Sequence, residues 1–374
     1  MTKYHVSALG ALMLICNLAS AQTNVLARAI EQINHYQNVS FKQSVKQKNP
    51  GDGSWTTSYY NFWASRNADG TEYNKSTGKY GTTVFQGTTK ISLDPSQKTY
   101  SIKRNHDLYE ETPYYWAKQF QEKLSKMPEK IRNMPDTVIN QAACAHVEII
   151  KSDTIGARFI EDFYLNKQTS LPVFIRQFME GNFSISGSKA SFSSVMINEF
   201  TYSDYRVNDK NFEDLAKFTI PAGFSPEQKI VPLAVNDKAP DWQLADTHGK
   251  TVSNKQLLGS IVLLDFSSNT CGPCIMALPA MKNLLEKYGQ SGVKIYSINT
   301  SDSKTAVKAF ITKNHISYPV LLDGAKVSKA FKITGTPYFF VIDAQGNIAK
   351  IFDGYDDGLE RRLTKAIDKL QKGS

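Results

Sequence analysis

The spacing of apolar residues changes along the chain, and each spacing predicts a different element. From Val25 to Tyr36 apolar residues recur at helical spacing, which predicts an amphipathic helix. From Phe41 to Ile102 they alternate with polar residues in short segments separated by turns such as Asp69-Gly70. Alternation of this kind predicts antiparallel hairpins. A second helix is predicted around Glu111 to Asn140, with Trp116 on its apolar face.

Alternation returns after this helix and continues for about 60 residues. It predicts five further strands, at 147–150, 159–165, 173–179, 183–186 and 195–205. Helices are few and strands many in this part of the chain. The N-terminal part is therefore predicted to be an antiparallel β-rich, α+β domain.

The C-terminal part has a different order of elements. An apolar run from Ile261 to Phe266, interrupted only by Asp265, predicts a central buried strand. Helices and strands alternate after it, with helices predicted at 273–288, 304–314 and the C-terminus and strands at 293–298, 338–342 and 348–352. Such alternation predicts an α/β domain whose sheet is covered by helices on both faces.

The first residues of the chain have the features of a targeting segment. Lys3 precedes an apolar run from Ala8 to Cys16, and small residues follow at Ala19-Ser20-Ala21. This order is typical of a secretory signal peptide, so we expect the mature chain in the periplasm or outside the cell. No later stretch approaches the roughly 18 apolar residues of a membrane span, and we expect a protein that does not cross the membrane. The predicted organisation is a signal peptide over 1–21, a β-rich domain over 22–225, a linker over 226–237 and a second domain over 238–374.

The formal net charge is +9 over 374 residues, which raises the question of an anionic partner. The basic residues are interspersed with acidic ones, as in the stretch 122–130. This pattern is typical of an ordinary solvated surface, so we expect no nucleic-acid partner.

Three cysteines remain once the signal peptide is removed: Cys144, Cys271 and Cys274. An odd number does not make a disulfide framework. A bond between Cys271 and Cys274 closes so few residues that it would stabilise the fold by only roughly 2 kcal/mol. The spacing therefore favours redox exchange. Cys144 is predicted to be a buried free thiol, because with His146 it supplies too few ligands for a metal or haem. We expect no metal and no cofactor.

The N-terminal part has a loose resemblance to a known family. Residues 165–172 and the closing stretch 218–224, after a first helix and a run of strands, resemble the LolA-like half-barrel of envelope proteins. Some members of that family hold lipid acyl chains, so the resemblance implies a carrier of a hydrophobic ligand as an alternative function. The other interpretation is a folded sheet that positions the second domain.

The C-terminal part, over residues 236–372, is similar to the TlpA/ResA-like thioredoxins. The similarity lies in Ala239-Pro240-Asp241-Trp242, the strand around Asp265, Cys271-Gly272-Pro273-Cys274, Pro279 and Gly335-Thr336-Pro337. It implies a thioredoxin-like α/β fold and an exported thiol-disulfide oxidoreductase. The family implies a reductase of disulfide-bearing envelope proteins that a membrane electron donor recharges, with cytochrome c maturation or repair of oxidised proteins as its task.

The two cysteines have different predicted roles. Cys271 would lie at the N-terminus of a helix, where the dipole lowers a thiol pKa from about 8.5 to roughly 7. Its thiolate would attack a substrate disulfide, and Cys274 would then resolve the mixed disulfide. The resemblance further implies that Asp265 accepts the proton of Cys274, directly or through water. It also implies that Pro337 is a cis-proline facing the disulfide and that the Thr336 backbone pairs with substrate.

Three positions depart from the family pattern. Thr270 and Ser267 stand where relatives usually have aromatic residues, and Ala277 replaces a glutamate that tunes the cysteine pair. These departures leave open the reduction potential, the direction of electron flow and the choice of partner.

Overall fold

The computed structural model of the protein describes residues 25–48, 53–104, 112–154, 157–184, 191–228 and 231–373. The signal peptide predicted over 1–21 lies outside the described residues. Two compact units make up the chain, the first formed by most of the residues up to Gln228 and the second by the residues from Lys229 on. No helix in the described ranges is both long enough and apolar enough to cross a bilayer.

The first unit is built on a twelve-stranded sheet. Its strands are β1 (Asn38–Lys48), β2 (Trp55–Arg66), β3 (Glu72–Gly78), β4 (Gly81–Gln86), β5 (Thr89–Asp94), β6 (Thr99–Lys103), β7 (Ile131–Ile139), β8 (Ala142–Thr154), β9 (Ala157–Asn166), β10 (Pro172–Ser184), β11 (Ser191–Val207) and β12 (Ser225–Pro226). The strand order is β12-β6-β5-β4-β3-β2-β1-β11-β10-β9-β8-β7. This architecture confirms the β-rich prediction for the N-terminal part.

Two helices, α1 (residues 25–34) and α2 (Pro113–Lys126), pack on this sheet. The Thr112 side chain accepts a hydrogen bond from Tyr115 N and caps the start of α2, where Pro113 is favourable because it needs no backbone partner. The rings of Trp116 and Phe120 meet Phe163 edge to face, with centroids 5.4 and 5.0 Å apart. Truncating a ring buried in such a core costs about 3–5 kcal/mol. Helix-on-sheet packing therefore holds the first unit together.

The helix predicted as far as Asn140 is shorter than expected. It ends at Lys126, and residues Ile131–Ile139 form the edge strand β7. Pro128 follows the helix closely, and a proline disfavours helical geometry in the residue before it. Pro135 lies at an irregularity in the pairing of β7 with β8, where a proline removes little hydrogen bonding. The prediction was wrong for these residues because pairing with β8 decides their conformation.

The first unit also buries charged side chains beneath its helices. Glu161 of β9 is 2 % exposed, and its Oε2 lies 3.4 Å from Lys123 Nζ of α2 and 3.1 Å from Lys151 Nζ of β8. Gln177 Nε2 donates a hydrogen bond to the other carboxylate oxygen at 3.2 Å. Burial lowers the pKa of Lys123, and the Glu161 carboxylate opposes that shift. The buried carboxylate is thus matched by cations on two neighbouring elements.

The second unit has a five-stranded sheet with the order β17-β16-β15-β18-β19. Its strands are β13 (Gln243–Ala245), β14 (Thr251–Ser253), β15 (Val262–Ser267), β16 (Lys294–Asn299), β17 (Val320–Leu321), β18 (Tyr338–Ile342) and β19 (Ile348–Asp353), of which β13 and β14 form a separate hairpin. The helices are α3 (Gly272–Tyr288), α4 (Lys304–Asn314), α5 (Ala325–Ala330) and α6 (Leu359–Lys372). The central β15 runs parallel to β16 and antiparallel to β18.

Two apolar clusters cover the faces of the sheet in the second unit. One joins Met281 of α3, Phe310 of α4 and Leu363 of α6 to the sheet. The other places Trp242 and Phe331 on the opposite face, next to strand residues such as Phe340. A strand flanked by apolar layers on both sides reads as a continuous hydrophobic run, which explains the composition of β15. The α/β prediction for the C-terminal part is confirmed.

Candidate active site

The cysteine pair lies where the central strand of the second unit leads into a helix. β15 ends at Ser267, and after a short loop α3 begins at Gly272 with Cys271 as its N-cap residue. Proline is favourable at the first positions of a helix, so Pro273 helps the chain to enter α3 directly after the cysteine. The backbone N–H of Cys274 donates to Cys271 Sγ over 3.1 Å. One of the unpaired N–H groups of the helix N-terminus is thus directed at this sulfur.

Cys271 and Cys274 are joined in a disulfide, with an S–S distance of 2.07 Å and a Cα–Cα distance of 5.2 Å. The two sulfurs differ in their access to solvent. Cys274 is 5 % exposed, whereas Cys271 is only half-buried. An attacking group therefore reaches Cys271 first.

The loop before β18 lies against the outer cysteine. The Thr336–Pro337 peptide bond is cis, and Cys271 Sγ lies 3.4 Å from the carbonyl oxygen of Thr336. Pro337 is buried, Thr336 is half-buried and Gly335 is exposed. Gly354 N donates to the carbonyl oxygen of Pro337 at 3.0 Å, which ties this loop to the end of β19. The structure thus brings Thr336 and Pro337 together with the disulfide.

Asp265 lies on the central strand and is 4 % exposed. Burial raises the pKa of its carboxyl to about 7, and a hydrogen bond from the Ser297 hydroxyl partly opposes this shift. Ser297 is its neighbour on β16, and Ser297 Oγ lies 2.8 Å from Ser267 Oγ. A carboxyl that titrates near pH 7 is suited to take up and release a proton under neutral conditions.

Three polar residues near the pair were missed by the sequence reasoning: Asn269, Ser297 and Tyr318. Together with Cys274 they line a small cavity behind the disulfide. Ser297 could have been found as a hydroxyl within the apolar run of β16, on the strand that follows α3. No local signal marks Tyr318, because only the parallel pairing of β16 and β17 brings it here.

A hydrogen-bond network fixes the loop that precedes Cys271. Asn269 N donates to Asp302 Oδ2 at 2.8 Å, and Asn299 Nδ2 donates to the same oxygen at 2.9 Å. Asn299 Nδ2 also lies 3.4 Å from Asn269 Oδ1. The loop is therefore held by side chains at the end of β16, which keeps the approach to Cys271 in a defined conformation.

The positions that depart from the family pattern have different surroundings. Ser267 is half-buried and hydrogen-bonded to Ser297, whereas Thr270 is exposed beside Cys271. Ala277 is 1 % exposed and belongs to the apolar layer beneath α3. Where relatives are expected to present aromatic rings and a glutamate, this site presents two hydroxyl groups and a methyl group.

Cys144 and His146 have separate partners. Cys144 is a buried free cysteine whose thiol donates to Ala142 O at 3.3 Å, and burial raises its pKa. His146 Nε2 lies 3.0 Å from Asp162 Oδ1, and its ring stacks on Tyr164 with centroids 4.1 Å apart. Over the described residues, no group of three or more His, Cys, Asp or Glu side chains is arranged to hold a metal ion.

The family model that matches this chain covers residues of the second unit. The family model described as "AhpC/TSA family" matches residues 235–351. The thiol-disulfide oxidoreductase ResA of Bacillus cereus (strain ATCC 10987 / NRS 248) is 31% identical over 152 residues, which are 40% of this chain and 86% of that protein. ResA of Bacillus subtilis (strain 168) is 33% identical over 123 residues, 33% of this chain and 69% of that protein.

A solved structure is also similar to part of this chain. It is a putative thiol:disulfide interchange protein DsbE from Chlorobium tepidum, 26% identical, with a TM-score of 0.35. The match covers 37% of this chain and 98% of that one.

Proposed function

Because the chain belongs to the family of thiol-disulfide oxidoreductases that includes the ResA proteins, we propose that its Cys271-Cys274 pair reduces disulfides in other exported proteins. The observation that carries this proposal is the asymmetry of the pair. Cys271 Sγ is accessible at the N-terminus of α3 beside the Thr336–Pro337 loop, and Cys274 lies buried behind it.

The first step belongs to the reduced enzyme. The N–H of Cys274 and the positive end of the α3 dipole stabilise a thiolate on Cys271. This thiolate attacks one sulfur of a substrate disulfide. A bond forms between Cys271 and the substrate, and the second substrate sulfur leaves as a thiolate that takes a proton from solvent.

The second step regenerates a disulfide in the enzyme. Asp265 accepts the thiol proton of Cys274, and the resulting thiolate attacks Cys271 Sγ. The bond between Cys271 and the substrate breaks, the remaining substrate sulfur leaves as a thiolate, and the Cys271-Cys274 disulfide forms. Two electrons have then passed from the enzyme to the substrate, so a thiol-bearing membrane electron donor must reduce the enzyme before the next cycle.

Substrate binding is assigned to the loop before the cis-proline. The main chain of Thr336 lies next to Cys271, and an extended substrate segment that pairs with this main chain would present its disulfide to the sulfur. Backbone pairing of this kind is independent of sequence. It suits a reductase with several substrates, such as one that repairs oxidised envelope proteins or serves cytochrome c maturation.

The alternative function, a carrier of an apolar ligand, gains no support from the described part of the first unit. α1 and α2 fill one face of the sheet with their own apolar side chains. A cavity of about 530 Å³ is lined by polar groups, among them Lys42, Asn61 and Thr77, together with two tyrosine rings. A lipid acyl chain needs an apolar lining, which this cavity does not supply.

The proposal is tested by insulin reduction with dithiothreitol as the electron source. The mature protein should accelerate the reaction, and Cys271→Ser should lower turnover by about 10³-fold or more, because the nucleophile is lost. Cys144→Ser is the matched control. It makes the same atomic change in the first unit and should keep wild-type turnover. Equal turnover by the wild type and Cys271→Ser would exclude the proposed chemistry.

A further inference from the structure

The sheet of the first unit carries a row of hydroxyl groups on one of its faces. Phe62, which belongs to the apolar core, is paired with Ser76 of β3. The directly paired residues on the next three strands are Thr83, Ser92 and Ser101. Directly paired residues of antiparallel strands point to the same face, so these four hydroxyl side chains lie next to one another. The face that is apolar at Phe62 therefore becomes polar over β3 to β6.

The composition of this row differs from that of an ordinary solvated strand face. The opposite face of the same strands holds Val84, Ile91 and Leu93, which the segment 218–224 covers. A face that is left to solvent usually carries long charged side chains. Here the row consists of small hydroxyl residues, and Ser76 is only 8 % exposed. Small side chains at neighbouring positions leave a hollow in the surface of the sheet.

This hollow is a cavity of about 310 Å³, a size within the range of small-molecule sites, about 300–1,000 Å³. Gly78 and Gly81 are paired beside the hydroxyl row, and a Cβ on Gly78 would come within 2.7 Å of the Tyr60 ring. The Tyr60 ring therefore lies directly against Gly78 and forms one wall. Tyr80, in the turn between the two glycines, also lines the cavity and is 79 % exposed. Lys79 Nζ lies 5.3 Å from the centroid of the Tyr80 ring, but Lys79 does not line the cavity.

The polar lining restricts the chemistry of a ligand. Serine and threonine hydroxyls both donate and accept hydrogen bonds, so a row of them suits a ligand that offers donors and acceptors at close spacing. Asp94 and Glu227 also line the cavity, and carboxylates only accept. Among the described residues of the lining there is no lysine or arginine, so an anionic ligand would meet two carboxylates without a balancing cation.

The carboxylates and the tyrosine rings narrow the choice further. Asp94 Oδ1 already accepts hydrogen bonds from Ser96 N and Gln97 N, and Glu227 is exposed, so neither is a desolvated partner for an ammonium group. The face of an aromatic ring carries partial negative charge and attracts C–H groups. A sugar ring combines C–H faces with closely spaced hydroxyl groups that donate and accept.

We propose that this cavity binds a neutral saccharide. The Tyr80 ring stacks on a sugar ring, and the hydroxyl groups of Thr83, Ser92 and Ser101 hydrogen-bond to the sugar hydroxyls. The ligand is either a polysaccharide or a sugar chain attached to a protein. This binding uses no part of the cysteine pair, so the inference stands apart from the proposed redox function.

The test titrates the mature protein with neutral trisaccharides and measures binding by calorimetry. The probes are maltotriose, cellotriose, mannotriose and N-acetylchitotriose. At least one should bind with a Kd below about 1 mM. Tyr80→Ala should weaken binding about tenfold, because the stacking contact is lost. Thr83→Val removes a hydroxyl with little change of shape and should weaken binding about fivefold.

The matched controls lie on the other face of the same strands. Tyr59→Ala and Thr77→Val make the same atomic changes at residues that do not line this cavity, and both should leave the Kd unchanged. Equal weakening by the control and test variants, or no binding of any probe at about 10 mM, would overturn the proposal. Binding of chitotriose, which carries amines, without binding of N-acetylchitotriose would also overturn it, because the cavity would then select a cation.

Two further measurements complete the test. The probe that binds is linked to a short peptide: tighter binding of this glycopeptide assigns a sugar chain on a protein, and equal binding assigns a polysaccharide. Insulin turnover by Tyr80→Ala should match the wild type. Loss of saccharide binding with normal turnover, or the reverse in Cys271→Ser, shows which of the two proposals fails.

Discussion

Both units bury a carboxylate on an inner strand of a sheet, but they surround it differently. Glu161 in the first unit has the ammonium groups of Lys123 and Lys151 within 3.4 and 3.1 Å. Asp265 in the second unit has no cation among the interactions that shift its pKa, which are burial and a hydrogen bond from Ser297. Burial without a cation raises the pKa of Asp265 to about 7, into the range where it can exchange protons.

The comparison separates charge used for structure from charge used for chemistry. A carboxylate held between cations on a helix and a strand joins those elements. A buried carboxylate with a serine hydroxyl beside it and no cation is less stable when ionised, so it can accept a proton from Cys274 near neutral pH. Removing the charge from each residue should therefore have opposite effects on stability, and only one of the two changes should alter redox kinetics.

The largest expected effect is on the stability of the first unit. Glu161→Gln leaves the buried ammonium group of Lys123 on α2 without its carboxylate partner, and breaking a buried pair in this way costs about 3–5 kcal/mol. Urea unfolding followed by circular dichroism measures this loss. Insulin turnover at a temperature where the variant is folded should match the wild type. A variant as stable as the wild type would mean that Glu161 does not join these elements.

Asp265→Asn should have the opposite effect on stability, and the effect should depend on pH. The folded pKa of about 7 lies above the ordinary value of 3.8, so the folded state holds its proton more tightly than the unfolded state. Between pH 4 and 7 the wild type loses stability as pH rises, by up to about 4 kcal/mol. Asparagine removes this loss. The stability gained by substitution should therefore be larger at pH 8 than at pH 4.

Urea unfolding at the two pH values checks this prediction with the disulfide intact in both proteins. Glu161→Gln serves as the control, since it alters a carboxylate in the other unit. A gain that is the same at pH 4 and pH 8 would show that the folded pKa of Asp265 is not raised.

The same substitution should slow the second half of the reaction. Asp265→Asn should reduce release of the mixed disulfide by about 10²-fold and leave attack by Cys271 unchanged, because only release needs the base. In the wild type the release rate should rise with pH and level off above pH 7, as Asp265 ionises. Tyr318 is the titratable group that interacts with this carboxyl, and burial raises the pKa of Tyr318.

Single-turnover mixing with a disulfide-linked fluorescent peptide resolves attack from release. The pH inflection in release should be absent from Asp265→Asn. Unchanged kinetics of both steps would remove Asp265 from the mechanism.

The smallest expected effect concerns Cys144. Its thiol donates to a neighbouring carbonyl oxygen in the first unit, and Cys144→Ser replaces it with a hydroxyl that can do the same. We expect a loss of about 1 kcal/mol in unfolding free energy and no change in insulin turnover. Urea unfolding and the turnover assay measure the two quantities. A fall in turnover would show that the redox chemistry extends beyond Cys271 and Cys274.

Much of the second unit could be predicted from its sequence because its signals are local. The apolar run of β15, the Cys271-Cys274 spacing and the periodicity of α4 each lie within a short segment, and α4 has the bounds that the spacing predicted. The short β17 and α5 were missed, since two and six residues are too few to show a period. The LolA-like resemblance and the domain boundaries stay predictions.

The surroundings of Asp265 were harder to predict than the cysteine pair. Ser297 lies beside it through the register of two parallel strands, and Tyr318 reaches the cavity through a third strand. Such pairings join residues far apart in sequence and leave no spacing signal. The prediction that the second helix continues to Asn140 was wrong for a related reason. Pairing with β8 makes residues 131–139 a strand.

The central claim is that Cys271 is the nucleophile and Cys274 the resolving thiol. Reduced Cys274→Ser protein should therefore accumulate a mixed disulfide when it is mixed with oxidised insulin. After proteolysis without reductant, mass spectrometry should find the insulin peptide bound to Cys271. Absence of an adduct, or an adduct bound to Cys144 instead, would contradict the account.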